Sequence, residues 1–153
     1  MGETLRDRRL RYARAILESK SSSTALLGEN AGLDGLRVLV LGAAPSETLC
    51  ALMHTECRKA EARLPDASCE INSADLVLVP HVTLITLGRV ARQAARALER
   101  HGRIVMANPG GERDFIGSAS RELVQAGFEM PILQSRDGLI CLHASPVEGL
   151  RSH

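Results

Sequence analysis

The 153-residue sequence holds no tryptophan, one tyrosine and two phenylalanines. Proteins that grip single-stranded nucleic acid stack bases on aromatic side chains, so this scarcity argues against that class. It also leaves few rings to wall an adenine. No Cys-x-x-Cys pair occurs among Cys50, Cys57, Cys69 and Cys141, which excludes a zinc ribbon and a thioredoxin-type motif. The lone His54-x-x-Cys57 supplies two ligands, and two do not make a zinc site, so no metal is expected. No apolar run approaches the 18 residues of a membrane span. The N-terminus, MGETLRDRRLRYARAI, carries charges where a secretory signal has its apolar stretch. Reduced cysteines and a cytoplasmic location are the resulting expectation. The formal net charge is +1, so no overall field draws the chain to nucleic acid or anionic lipid. A Gly-Lys-Ser/Thr phosphate loop is also missing.

What is present is a strongly ordered pattern. Residues 3–20 have apolar positions at helical spacing, with arginines filling the other positions. A second short helix is expected over 23–30. Residues 1–35 therefore read as an N-terminal helical extension, 36–147 as one α/β domain and 148–153 as a tail. Leu36-Arg37-Val38-Leu39-Val40-Leu41 is a β-branched and leucine run, which is how a strand covered on both faces reads. Gly42-Ala43-Ala44-Pro45-Ser46 follows as a turn, then a helix from Glu47 to about Thr55, with Ser46 as its cap. Residues 57–64 are read as a short strand. Ala74 to Val79 is a second buried strand closed by Pro80. Leu84 to Arg100 is expected as the longest helix, Arg103 to Ala107 as a strand, and Ser118 to Ala126 as a helix stopped by Gly127. Phe128–Gln134 and Leu139–Ala144 form an antiparallel hairpin around Asp137-Gly138. Alternating strands and helices point to a three-layer α/β sandwich with a mostly parallel sheet.

Four stretches resemble the class I S-adenosylmethionine-dependent methyltransferases: Val38 to Thr48, Leu64-Pro65 with Ala74 to Val82, Ala91 to Ala107, and Leu123 to Phe128 with the terminal hairpin. The resemblance implies a Rossmann-like sheet and S-adenosylmethionine as cofactor. It places Gly42, Ala43, Ala44, Ser46, Glu47 and Pro80 against that cofactor. The sequence departs from the family in two ways. The usual G-x-G-x-G turn keeps one glycine, Gly42. The interval from Glu47 to Ala74 is too short for two strands and two helices, so one β-α unit is missing. In the family that unit supplies the acid for the ribose hydroxyls; Glu61 or Asp66 would have to stand in. A dinucleotide fingerprint needs glycines at 42, 44 and 47 and finds only the first, so NAD and FAD are not expected.

Ligands of open α/β sheets sit at the carboxyl ends of the strands. His81 and Asn108 lie at two such ends. They are the catalytic candidates, His81 as general base and Asn108 as a group that orients substrate. Arg89, Arg92, Arg96 and Arg100 recur at helical spacing and read as a solvated stripe. On balance the lost glycines favour a degenerate methyltransferase-like domain that works through oligomers or protein partners. A homodimer would cover the edge of a shortened sheet. The competing expectation is an active methyltransferase on a small-molecule acceptor. A nucleic-acid module built on the arginine stripe ranks third.

Overall fold

The computed structural model describes residues 33, 35–42, 49–50, 52, 56–64, 68–108, 114–136 and 139–147. The expected helices over 3–20 and 23–30 lie outside these residues, as do the turn residues 43–48, His54, Asp66 and Asp137-Gly138. Six strands form one sheet in the order β2-β1-β3-β4-β6-β5. They are β1 (Arg37–Leu41), β2 (Lys59–Arg63), β3 (Ala74–Val79), β4 (Leu98–Asn108), β5 (Ile132–Arg136) and β6 (Leu139–Ala144). The first four run parallel; β6 is antiparallel to β4 and to β5. Two helices are complete, α1 (Leu87–Ala97) and α2 (Phe115–Ala126). Leu49, Cys50 and Leu52 are helical too, within the helix expected after the first strand.

Alternate residues of β1 face opposite layers. Leu39 and Leu41 join Val77, Val79, Ile104 and Met106 in a core roofed by Leu87, Val90, Ala94, Phe115 and Leu123 of the two helices. Val38 and Val40 join Leu76, Leu78, Val105 and Leu52 on the other face. Both faces of β1 and β3 are thus removed from water beyond Arg37 and Asp75, which is why Val38–Leu41 and Leu76–Val79 are apolar throughout. Burying each such side chain contributes roughly 1.5–3 kcal/mol.

The edge strand β2 is different. Lys59, Glu61 and Arg63 alternate with Ala60 and Ala62, and only the alanines pack on the core. Charged residues on an edge strand discourage pairing with a further strand. Among the described residues no strand lies beyond β2, and one strand occupies the interval between β1 and β3.

Several boundaries differ from the sequence expectation: α1 starts at Leu87 rather than Leu84, and β4 spans Leu98–Asn108 rather than Arg103–Ala107. Helix α1 ends at Ala97, three residues before Arg100. The backbone N–H groups of Asn72 and Ser73 donate to the carbonyls of Arg96 and Ala97 at 3.3 and 2.8 Å, satisfying the helix end. Leu98 then pairs with Ala74 as the first residue of β4. Arg100 therefore lies in a strand, and the helical stripe shrinks to Arg89, Arg92 and Arg96, all exposed. Helix α2 begins at Phe115 rather than Ser118, after Asp114 in a left-handed conformation at φ 57°. It stops as expected: the N–H groups of Gly127 and Phe128 donate to Val124 and Leu123 at 3.1 and 2.9 Å. That is the double bond of a Schellman cap, with Gly127 at φ 103°. Phe128 belongs to this cap and the core beneath it. It bridges Pro146, so β5 begins only at Ile132.

Candidate functional site

The strand ends come level along one edge of the sheet. Val40 is in register with Leu78, and Val79 with Met106. Gly42, Pro80 and Ala107–Asn108 therefore form a crest at the carboxyl ends of β1, β3 and β4, the ligand edge of an open α/β sheet. The sequence predicts Gly42, Pro80, His81 and Asn108 as site residues, and the fold brings these four to that crest.

Gly42 has φ 148°, a conformation L side chains rarely adopt. Its N–H donates to the Arg63 carbonyl at 3.3 Å, tying the end of β1 to the end of β2. No described atom lies within 4 Å of where a Cβ would stand. His81 is exposed and Pro80 half-buried. Asn108 is fully buried. Its Nδ2 donates to the Val82 carbonyl at 2.8 Å, and the Val82 N–H donates to the Ala107 carbonyl at 2.9 Å. The segment after His81 is held further. The Thr83 N–H donates to Thr86 Oγ1 at 3.2 Å, and the Leu87 N–H donates to the Thr83 carbonyl at 3.0 Å. These bonds close a turn that leads into α1, whose N-cap Thr86 makes no side-chain cap bond of its own.

Glu61 sits elsewhere. It is in register with Leu39, below the crest, and its carboxylate bonds the Arg63 guanidinium and lies 3.7 Å from Lys59 Nζ. These groups line a hollow of about 80 Å³ with Ser68, Cys69, Glu70 and Ser73. That is far below the roughly 300 Å³ at which small-molecule sites begin. Ala43, Ala44, Ser46 and Glu47, expected to complete the cofactor turn, lie outside the described residues. Sequence reasoning missed two participants. Val82 anchors Asn108 through its backbone, which no side-chain pattern announces. Arg63 anchors both Gly42 and Glu61; the period-two charge alternation of β2 was the available signal.

A strong ion pair lies at the opposite edge. Asp75 accepts from the backbone N–H of Arg37 at 2.8 Å and from its Nε and Nη2 at 3.1 Å each. The guanidinium holds the Asp75 carboxyl below its ordinary range. Its place at the amino ends of β1 and β3 makes it a fastener of the sheet, remote from the crest. Among the described residues no group of three or more His, Cys, Asp or Glu side chains is placed to hold a metal. No helix there is long and apolar enough to cross a membrane.

No protein-family model matches the chain, and no curated protein matches it in sequence. Solved structures do match in fold. One is the 1,6-didemethyltoxoflavin-N1-methyltransferase of Burkholderia thailandensis, bound to its namesake ligand and S-adenosylhomocysteine. It shares 11% identity at a TM-score of 0.68 over 90% of this chain and 81% of its own. A TehB-like S-adenosylmethionine-dependent methyltransferase of Corynebacterium glutamicum shares 12% identity at a TM-score of 0.65, over 90% of this chain and 97% of its own. The chain has a class I S-adenosylmethionine-dependent methyltransferase fold. A third neighbour with this fold is a methyltransferase complexed with the Haloferax volcanii Trm112 methyltransferase activator. It has 12% identity and a TM-score of 0.61, over 91% of this chain and 93% of its own.

Proposed function

We propose that the chain binds S-adenosylmethionine across the Gly42 crest and transfers its methyl group to a small acceptor activated at His81. The observation that carries this reading is Gly42: a glycine-only backbone at φ 148° with no described atom over it. When bound, the cofactor supplies an electrophilic methyl group. The open face of Gly42 admits a ligand close to the backbone, and Pro80 flanks it. His81, exposed beside it, takes the proton from the acceptor's nucleophilic atom at an imidazole nitrogen. Proximity and orientation then account for most of the rate enhancement.

A second reading is that the domain acts only with a protein partner. The engagement of Glu61 by Lys59 and Arg63 favours it, because that carboxylate is then not available to ribose hydroxyls. The activator-bound neighbour lends this reading a precedent.

Calorimetric titration of the purified chain with S-adenosylmethionine and S-adenosylhomocysteine separates the two. Micromolar binding that disappears in Gly42→Trp supports the enzyme. No heat and no thermal shift at millimolar ligand refutes it, and directs the search to partners.

A further inference from the structure

We propose that Asn108 is a positioning residue: its buried amide clamps the turn after β3 and so fixes His81 over the strand ends. The inference rests on the reading of the crest as a donor site with His81 as base. Three observations carry it. Asn108 is the one buried polar or charged residue among those described. A buried polar side chain is retained at a cost unless it is hydrogen-bonded. Its Nδ2 is committed to the Val82 carbonyl at 2.8 Å, and the return bond from the Val82 N–H to the Ala107 carbonyl, at 2.9 Å, closes a two-bond clamp between β4 and the turn. The turn is fixed at its far end as well, by the Thr83–Thr86 bonds that open α1.

The clamp therefore bears on one short segment. His81 directly precedes the clamped residue, and its side chain is exposed. Its position is set by the backbone, which the Asn108 bond holds together with the buried Val82 side chain. Proton transfer requires the base within hydrogen-bond reach of the proton it takes, so a loosened turn would lower activity without touching the donor's resting place at Gly42. Asn108 itself acts through Val82 and His81.

The test is site-resolved amide hydrogen exchange on the full chain, with the His81 ring resonances followed in parallel. In Asn108→Ala the Val82 amide should exchange at least tenfold faster relative to the Val77 amide in the middle of β3, and the His81 signals should broaden. Leu123→Ala serves as control. It removes a fully buried side chain from the helix layer, so it should weaken the fold without raising the Val82-to-Val77 ratio. Asn108→Asp keeps the side-chain volume but presents an acceptor to the Val82 carbonyl at neutral pH. It should loosen the turn as alanine does, and it carries the test if the alanine variant does not fold. A Val82-to-Val77 ratio unchanged in the Asn108 variants, or raised equally by Leu123→Ala, overturns the proposal. The donor titration is read separately. A wild-type chain that ignores S-adenosylmethionine refutes the enzymatic reading, whereas the exchange ratio decides the clamp.

Discussion

Replacing Asp75 by Asn tests the fastener between β1 and β3. The carboxylate accepts three donors from Arg37, at 2.8, 3.1 and 3.1 Å. Asparagine keeps the shape but loses the charge, and its NH2 group faces a guanidinium N–H with no acceptor between them. Hydrogen bonds to charged groups contribute about 1.5–3 kcal/mol when well shielded. Here the side chains of Arg37 and Asp75 remain 32% and 23% exposed, so water screens the pair and the expected loss is roughly 1–2 kcal/mol. For a chain of 153 residues that lowers Tm by about 2–8 °C. The pH dependence gives the sharper check. Asp75 titrates lower in the folded chain than its ordinary value, first because Arg37 hydrogen-bonds it. Its contribution is thus complete above the unfolded value of about 3.9 and is lost as pH falls from there through the folded value. Urea denaturation of wild type and Asp75→Asn at pH 7 and in steps below pH 4 measures the gap directly. A gap of 1–2 kcal/mol at pH 7 that narrows with acid is expected. Equal stabilities at pH 7, or a gap that ignores pH, would refute the reasoning.

Gly102→Ala should be costly, because the new Cβ would meet the carbonyl oxygens of Asp75 and Glu99 at 2.9 and 3.0 Å. A loss of about 1–3 kcal/mol in chemical denaturation is expected, and wild-type stability would contradict the packing. Gly42→Ala meets no described atom, so its cost is backbone strain alone, roughly 1–3 kcal/mol. It should also weaken S-adenosylmethionine binding in calorimetry more than its loss of stability explains. His143 on β6 is held below the usual histidine value, chiefly by burial and secondly by the Arg103 charge. Its neutral form is favoured by folding, so it contributes stability above about pH 6.5 that is lost as pH falls through the folded value. NMR titration should place its ring below that value, and a midpoint at or above it would overturn the assignment.

The elements legible in the sequence were those buried on both faces. Val38 to Leu41 and Leu76 to Val79 announce strands because every position along them is buried. The end of α1 was not legible. Leu98 fits the helical period of Leu87, Val90, Ala91 and Ala94, so local pattern extends the helix through it. Tertiary partners end it instead: the N–H groups of Asn72 and Ser73 take the last carbonyls, and Ala74 pairs with Leu98. Residues 57–64 had a weak strand signal for the converse reason. An edge strand with charges on one face and alanines on the other has neither an apolar run nor a strong alternation of large side chains.

The candidate site divides along the same line. Gly42, His81 and Asn108 could be placed from strand ends alone, because a parallel sheet aligns its carboxyl edges. The role of Asn108 could not, since it depends on Val82, a residue whose side chain takes no part in the clamp. Glu61 is the more instructive case. Read along the chain, it is an acid near the end of the second strand, in the region where a nucleoside site wants one. Read across the sheet, it stands level with Leu39 and is flanked on its own face by Lys59 and Arg63. Among the described residues β2 is the border strand; those charges discourage further pairing, and Glu61 balances the two cations that would otherwise repel each other there. One carboxylate cannot both neutralise that edge and hold a ribose at the crest. The edge position thus makes Glu61 part of a charged border strand, and under the proposed reading donor recognition would fall on the Gly42 crest.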